Sequence, residues 1–74
     1  MKITERQKGL LLFLLDEGET DIESLNGWHG FGPGVVSRVV GKGFACISNY
    51  ANGPHLGLTD NGYELAENIV NEEL

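Results

Sequence analysis

The sequence predicts a small α+β domain: a three-helix core, a two-stranded β-hairpin and a C-terminal helix. Three observations predict it. A helix-capping signal at Thr4 and a stop at Gly18 bracket a leucine-rich run. Asn52-Gly53 separates two short apolar segments. Thr59 leads into an amphipathic stretch that continues through Val70.

Thr4-Glu5-Arg6-Gln7 is a capping box, in which the threonine hydroxyl accepts from the N–H three residues on and the glutamine side chain returns the bond. Gly18 supplies the stop. Leu10, Leu11, Leu12, Phe13, Leu14 and Leu15 cover the whole circumference at 100° per residue, so this helix is buried on more than one side. It is either the central beam or a face for a partner chain. A short second helix is expected over residues 21–26, capped by Thr20 or Asp21, with Ile22 and Leu25 inward. Residues 27–32 are too glycine-rich for helix and form a turn. Trp28 and Phe31 are expected to pack in or beneath the core; the alternative, a base-stacking platform, usually comes with more basic neighbours than these.

Pro33 suits the first position of a third helix, where its missing N–H costs nothing. Val35, Val36, Val39 and Val40 form one stripe. Gly34, Ser37, Arg38 and Gly41 form the opposite face, with Lys42 beside them. Gly43 ends the helix. Valine and glycine are weak helix formers, so tertiary packing must hold it. Residues 44–47 and 55–58 are the strands. Asn-Gly is a strong hairpin signal, but Pro54 cannot donate the N–H that closes a two-residue turn. The loop is therefore expected to be wide, over residues 48–54. Thr59 caps the last helix, with Tyr63, Ala66, Ile69 and Val70 inward and the glutamates outward.

The 74 residues make one domain, and 41% hydrophobic with 22% charged residues exclude a disordered chain. A single cysteine, Cys46, excludes an internal disulfide and fits a reducing compartment. Polar residues follow Met1-Lys2, so no secretory leader is expected, and the longest apolar run is too short for a bilayer. A cytoplasmic protein that does not meet membrane is expected.

The net charge of −6 taken alone argues against nucleic acid. Its distribution alters that. All 11 carboxylates lie within residues 1–23 or 60–74. From Ser24 to Thr59 there is none, and that segment holds His29, Arg38, Lys42 and His55. The chain is acidic at both ends and mildly basic between.

Three segments carry a likeness. Ile3-Thr4-Glu5-Arg6-Gln7 precedes the leucines. Val36-Ser37-Arg38-Val39-Val40-Gly41-Lys42-Gly43-Phe44 runs from helix into strand. Leu58-Thr59-Asp60-Asn61-Gly62-Tyr63-Glu64-Leu65-Ala66 follows the pattern LT-x-x-G-x-x-LA. Together they resemble the winged helix-turn-helix family, especially MarR- and PadR-like regulators. The resemblance implies a transcription regulator whose third helix enters the major groove while the hairpin, the wing, touches the backbone or minor groove. Ser37, Arg38 and Lys42 would then be the helix contacts, and Asn49, Tyr50, Asn52 and His55 the wing contacts. The sequence departs from the family in its short recognition helix, in the glycines before it, and in a wing without the usual arginine and aspartate.

On its own chemistry, Arg38 suits guanine or a phosphate, Lys42 a phosphate and Ser37 either. Gly34 and Gly41 permit close approach but read nothing. The plain alternative is that Arg38 and Lys42 only solvate a helix face. Two cations neutralise few phosphates, so a shallow salt dependence is expected. The second function class is an acidic protein-interaction module, an adaptor or DNA-mimicking inhibitor, that offers the five carboxylates from Asp16 to Glu23 to a basic partner. A second copy meeting helix 1 or the C-terminal helix is the third partner considered. No cofactor, metal or catalytic activity is expected. Cys46 falls in an apolar strand where a thiol is inert. No Cys-x-x-Cys, His-x-x-x-His, P-loop or dinucleotide pattern occurs.

Overall fold

The computed structural model describes residues 3–73. The chain order is α1 (Glu5–Glu17), β1 (Thr20–Asp21), α2 (Ile22–Gly27), α3 (Pro33–Gly41), β2 (Ala45–Tyr50), β3 (Gly53–Leu58) and α4 (Asp60–Glu73). This is an α+β winged helix with a three-stranded antiparallel sheet in the order β1-β3-β2.

The α1 capping box forms as the sequence predicts. The Gln7 N–H donates to Thr4 Oγ1 at 3.1 Å, and the Thr4 N–H donates to Gln7 Oε1 at 3.5 Å. Gly18 closes the helix at φ 81°, with its N–H on the Leu14 carbonyl at 2.8 Å. Leu10, Leu11 and Leu14 are fully buried, while Leu12, Phe13 and Leu15 pack half-buried against the same core. The helix touches α3, α4 and β3, which makes it the central beam.

The strand β1 has no signal in the local sequence. Thr20 pairs with Leu56 and Asp21 with His55. A two-residue strand is too short to show an alternation, and Asp21 reads locally as a cap. It is both: its carboxylate accepts the Glu23 N–H at 3.3 Å and the Ser24 hydroxyl at 3.4 Å, opening α2. Leu25 is fully buried and Ile22 packs beside the core. In α3, Val36 and Val39 are buried and Val35 and Val40 half-buried, so the valine stripe faces inward.

The expected wide loop is a tight turn. Tyr50 pairs with Gly53, which leaves only Ala51 and Asn52 between the strands. Among the described residues, none other than glycine has positive φ, and in the turn the left-handed conformation falls on Gly53 at 116°. Glycine adopts it without a Cβ clash. Pro54 sits opposite Asn49, past the end of β1, where a missing N–H can face outward without breaking a ladder bond. The strand β2 therefore runs through Ser48, Asn49 and Tyr50. Along its inward face, Ala45 is 3% exposed, Ile47 46% exposed, and Asn49 open to solvent. The hairpin leaves the body after its first pair and projects as a wing.

A close contact at the start of α4 fixes the root of that wing. The Thr59 N–H donates to the Phe44 carbonyl at 3.1 Å, and the Thr59 hydroxyl donates to the Gly43 carbonyl at 2.6 Å. The same hydroxyl accepts the Gly62 N–H at 3.1 Å. A Cβ on Gly62 would overlap the Phe44 carbonyl oxygen outright and lie 2.9 Å from its carbon. This is why LT-x-x-G needs glycine: helix and strand backbones meet there. Seated so, α4 turns Gly62, Leu65, Ala66 and Ile69 inward. The expectation for Ala66 and Ile69 holds. That for Tyr63 and Val70 does not: they flank this stripe and are 42% and 36% exposed. Among the described residues, no helix is long and apolar enough to cross a membrane.

Candidate nucleic-acid interface

The outer face of α3 presents Gly34, Ser37, Arg38 and Gly41, all exposed. A Cβ at Gly34 or Gly41 would meet nothing within 4 Å. Neither glycine has positive φ. The domain's own packing therefore requires neither. Among the described residues, the Arg38 guanidinium has no hydrogen-bond or ion-pair partner.

Lys42 behaves differently. Its ammonium donates to Gln7 Oε1 at 2.8 Å, which ties the end of α3 to the start of α1. Gln7 is 2% exposed and also receives the Thr4 N–H, so its carbonyl oxygen is held in place. Lys42 thus contributes a charge at a fixed position, separate from the Ser37–Arg38 pair.

Strand alternation divides the wing candidates between two faces. Asn49 shares the inward side with Ala45 and Ile47, beyond the edge of the core. Asn52 stands exposed at the tip. Tyr50 and His55 lie on the outer side with Cys46, Ser48 and Gly57. Their rings meet edge-on at 5.0 Å and 84°, and His55 Nδ1 is 3.1 Å from the Gly53 carbonyl. Cys46 is exposed, a correction to the expectation of a thiol enclosed in an apolar strand: β2 turns that side of the wing away from the core.

The outer side also carries an acid that the charge map of the sequence does not place there. The Tyr50 hydroxyl donates to Glu19 Oε1 at 2.6 Å. The hydrogen bond to the Glu19 carboxylate, then desolvation, then the carboxylate's charge, raise the Tyr50 pKa above its ordinary value. Asp21 lies opposite His55 on the same side. The elements α3, β2 and β3 contain no carboxylate of their own. The acids arrive through β1, the strand that local patterning hides.

The turn before α3 corrects a second expectation. Trp28 is 86% exposed and packs in no core. Phe31 does pack, half-buried, with its ring 5.8 Å from Phe13. The Arg6 guanidinium lies 5.4 Å over the Phe31 ring and donates to the Gly30 carbonyl. The His29 ring is 4.5 Å from Phe13. Among the described residues, no three His, Cys, Asp or Glu side chains gather to hold a metal ion.

Comparison with known proteins bears on the fold. No protein-family model and no curated protein matches the chain. Among solved structures, it superposes on a MarR family protein from Bacillus stearothermophilus with a TM-score of 0.85, over 97% of this chain at 20% identity. It superposes on a mutant of ZitR from Lactococcus lactis with a TM-score of 0.79, over 96% at 14% identity. The chain spans about half the length of these structures, 54% and 53% respectively. The likeness shows a winged helix of the kind seen in a MarR family protein.

Proposed function

We propose that this domain binds double-stranded DNA as a cytoplasmic, non-enzymatic transcription regulator, with α3 in the major groove and the β2–β3 wing on the backbone. The observation that carries the reading is the outer face of α3. It is free of acid and lined by small residues, and it presents an arginine with no partner among the described residues. Glycine in a helix costs roughly 0.5–1 kcal/mol relative to alanine. Two glycines kept where a Cβ has open space fit a surface that something approaches closely. The likeness in fold to a MarR family protein supports the same reading.

In this arrangement Arg38 reads a guanine edge or holds a phosphate, Ser37 serves either, and Lys42 adds a phosphate contact. Asn49 and Asn52 meet the backbone from the wing. Tyr50 and His55 form its outer side, where Glu19 opposes a close approach of phosphate. Two copies would double the phosphates neutralised. The α1 leucines are taken up by the domain's own core, so α4 is the better dimer face: Tyr63 and Val70, seven residues apart, lie on one exposed side.

The second reading is an acidic interaction module for a basic protein. The carboxylates from Asp16 to Glu23, with Glu19 bonded to the wing through Tyr50, favour it. Fluorescence anisotropy of a mixed-sequence duplex at low salt, with wild type and Arg38→Ala, separates the two. Saturable binding weakened by the substitution supports DNA. No binding at high protein concentration sinks direct DNA contact and leaves the acidic face.

A further inference from the structure

The chain has one tryptophan, and it is turned to solvent at 86% exposure. A loose loop does not explain this. The Trp28 N–H donates to the Ser24 carbonyl at 2.8 Å, and the Phe31 N–H donates to the Leu25 carbonyl at 2.8 Å. Arg6 holds Gly30 and Phe31, and the His29 ring lies tilted against Phe13. The turn is held on both sides of Trp28, while the largest side chain in it stays outside. An indole has about 150–250 Å² to bury, and this one buries little of it within the domain.

Its position indicates what covers it. Trp28 follows α2 directly and precedes Pro33 by five residues, so it lies within ~18 Å of the start of α3. It falls inside the acid-free segment, and its sequence neighbours Asn26, Gly27, His29 and Gly30 carry no carboxylate. An anionic partner on α3 meets no repelling charge from these residues. Indole has one N–H donor, no acceptor and no charge. That chemistry suits a phosphate oxygen together with the apolar face of a sugar.

We infer that Trp28 is a DNA-backbone contact beside the groove that α3 enters. Its Nε1–H donates to a phosphate oxygen, and its ring lies against the adjacent deoxyribose. Such a contact sets register and carries no base information. The inference rests on the DNA-binding reading above.

The test titrates labelled mixed-sequence duplex with wild type, Trp28→Ala, Trp28→Phe and Arg38→Ala at several salt concentrations. Anisotropy follows binding, and acrylamide quenching follows the emission of the single tryptophan. Bound DNA is expected to shield Trp28 from acrylamide. Trp28→Ala is expected to weaken binding about tenfold, in the range for a buried aromatic anchor, with Trp28→Phe intermediate. The salt slope should stay unchanged in both, because indole is neutral, whereas Arg38→Ala should lower it by ~0.9. Trp28→Ala should melt as wild type does, because the side chain packs on so little. If wild type binds and Arg38→Ala does not, while Trp28 stays fully quenchable and Trp28→Ala binds normally, the Trp28 contact is overturned and the DNA reading stands. If wild type binds no DNA at any salt, both fall.

Discussion

Gly62→Ala tests the junction that sets the wing. In most helix positions this substitution helps, by roughly 0.5–1 kcal/mol. Here the added Cβ lies 2.9 Å from the Phe44 carbonyl carbon and overlaps its oxygen, with Leu58 Cδ2 at 3.1 Å. A comfortable carbon–carbon contact is about 3.5–4.0 Å. Backbone lies opposite, so no rotamer change relieves the overlap, and α4 must withdraw from β2 by about 1 Å. That retreat also stretches the Thr59 N–H bond to Phe44, now 3.1 Å. Forced overpacking costs typically about 1–3 kcal/mol, sometimes more, so the clash outweighs the propensity gain. A domain of this size holds on the order of 4–11 kcal/mol in all. In urea denaturation followed by circular dichroism, the midpoint should fall by about 1–2 M. Gly34→Ala is the control, since its Cβ meets open space. It should raise stability by about 0.4–1 kcal/mol. If Gly62→Ala is as stable as wild type, α4 and Phe44 do not meet as described.

Thr59→Ala removes a helix cap and the bond to Gly43, and should cost about 1–2 kcal/mol in the same assay. Gly41→Ala should leave the fold intact and weaken DNA binding, because it places a methyl group on the approaching surface; unchanged affinity would count against close approach. Glu19→Gln removes a carboxylate from beside the wing and should strengthen DNA binding, an effect that fades with salt. In an ultraviolet titration of the phenol, Tyr50 should ionise above the usual tyrosine range. A folded-state pKa above the unfolded one means that the Glu19 bond stabilises the fold below about pH 10 and is lost as pH rises further. Glu19→Gln should bring the midpoint back down.

Much of this molecule is legible in local sequence because local chemistry determines it. The Thr4–Gln7 box, the Gly18 stop and Pro33 at the head of α3 form as their short-range bonds require. The valine stripe of α3 buries as its spacing predicts. Four other features depend on contacts distant in sequence. β1 exists only because β3 pairs with it, and it carries Glu19 to Tyr50 across thirty-one positions. The orientation of α4 follows from Gly62 against Phe44, which shifts Tyr63 and Val70 out of the core. Lys42 reads as a free cation on a helix face until Gln7 is found beside it. Pro54 suggests a wide loop because its missing donor matters only if a strand faces it. For Trp28, hydrophobicity favours burial, and only the fixed turn shows that the side chain remains outside.

A ¹⁵N-resolved NMR titration with duplex DNA tests most directly whether α3 and the wing tip form a DNA-binding face. On binding, the amides of Gly34, Ser37, Arg38 and Gly41, with Asn52 at the wing tip, should shift most and saturate together, while those of Glu64, Glu67 and Glu72 on α4 stay in place. Shifts confined to the acidic elements, or none at all with the domain folded, would contradict it.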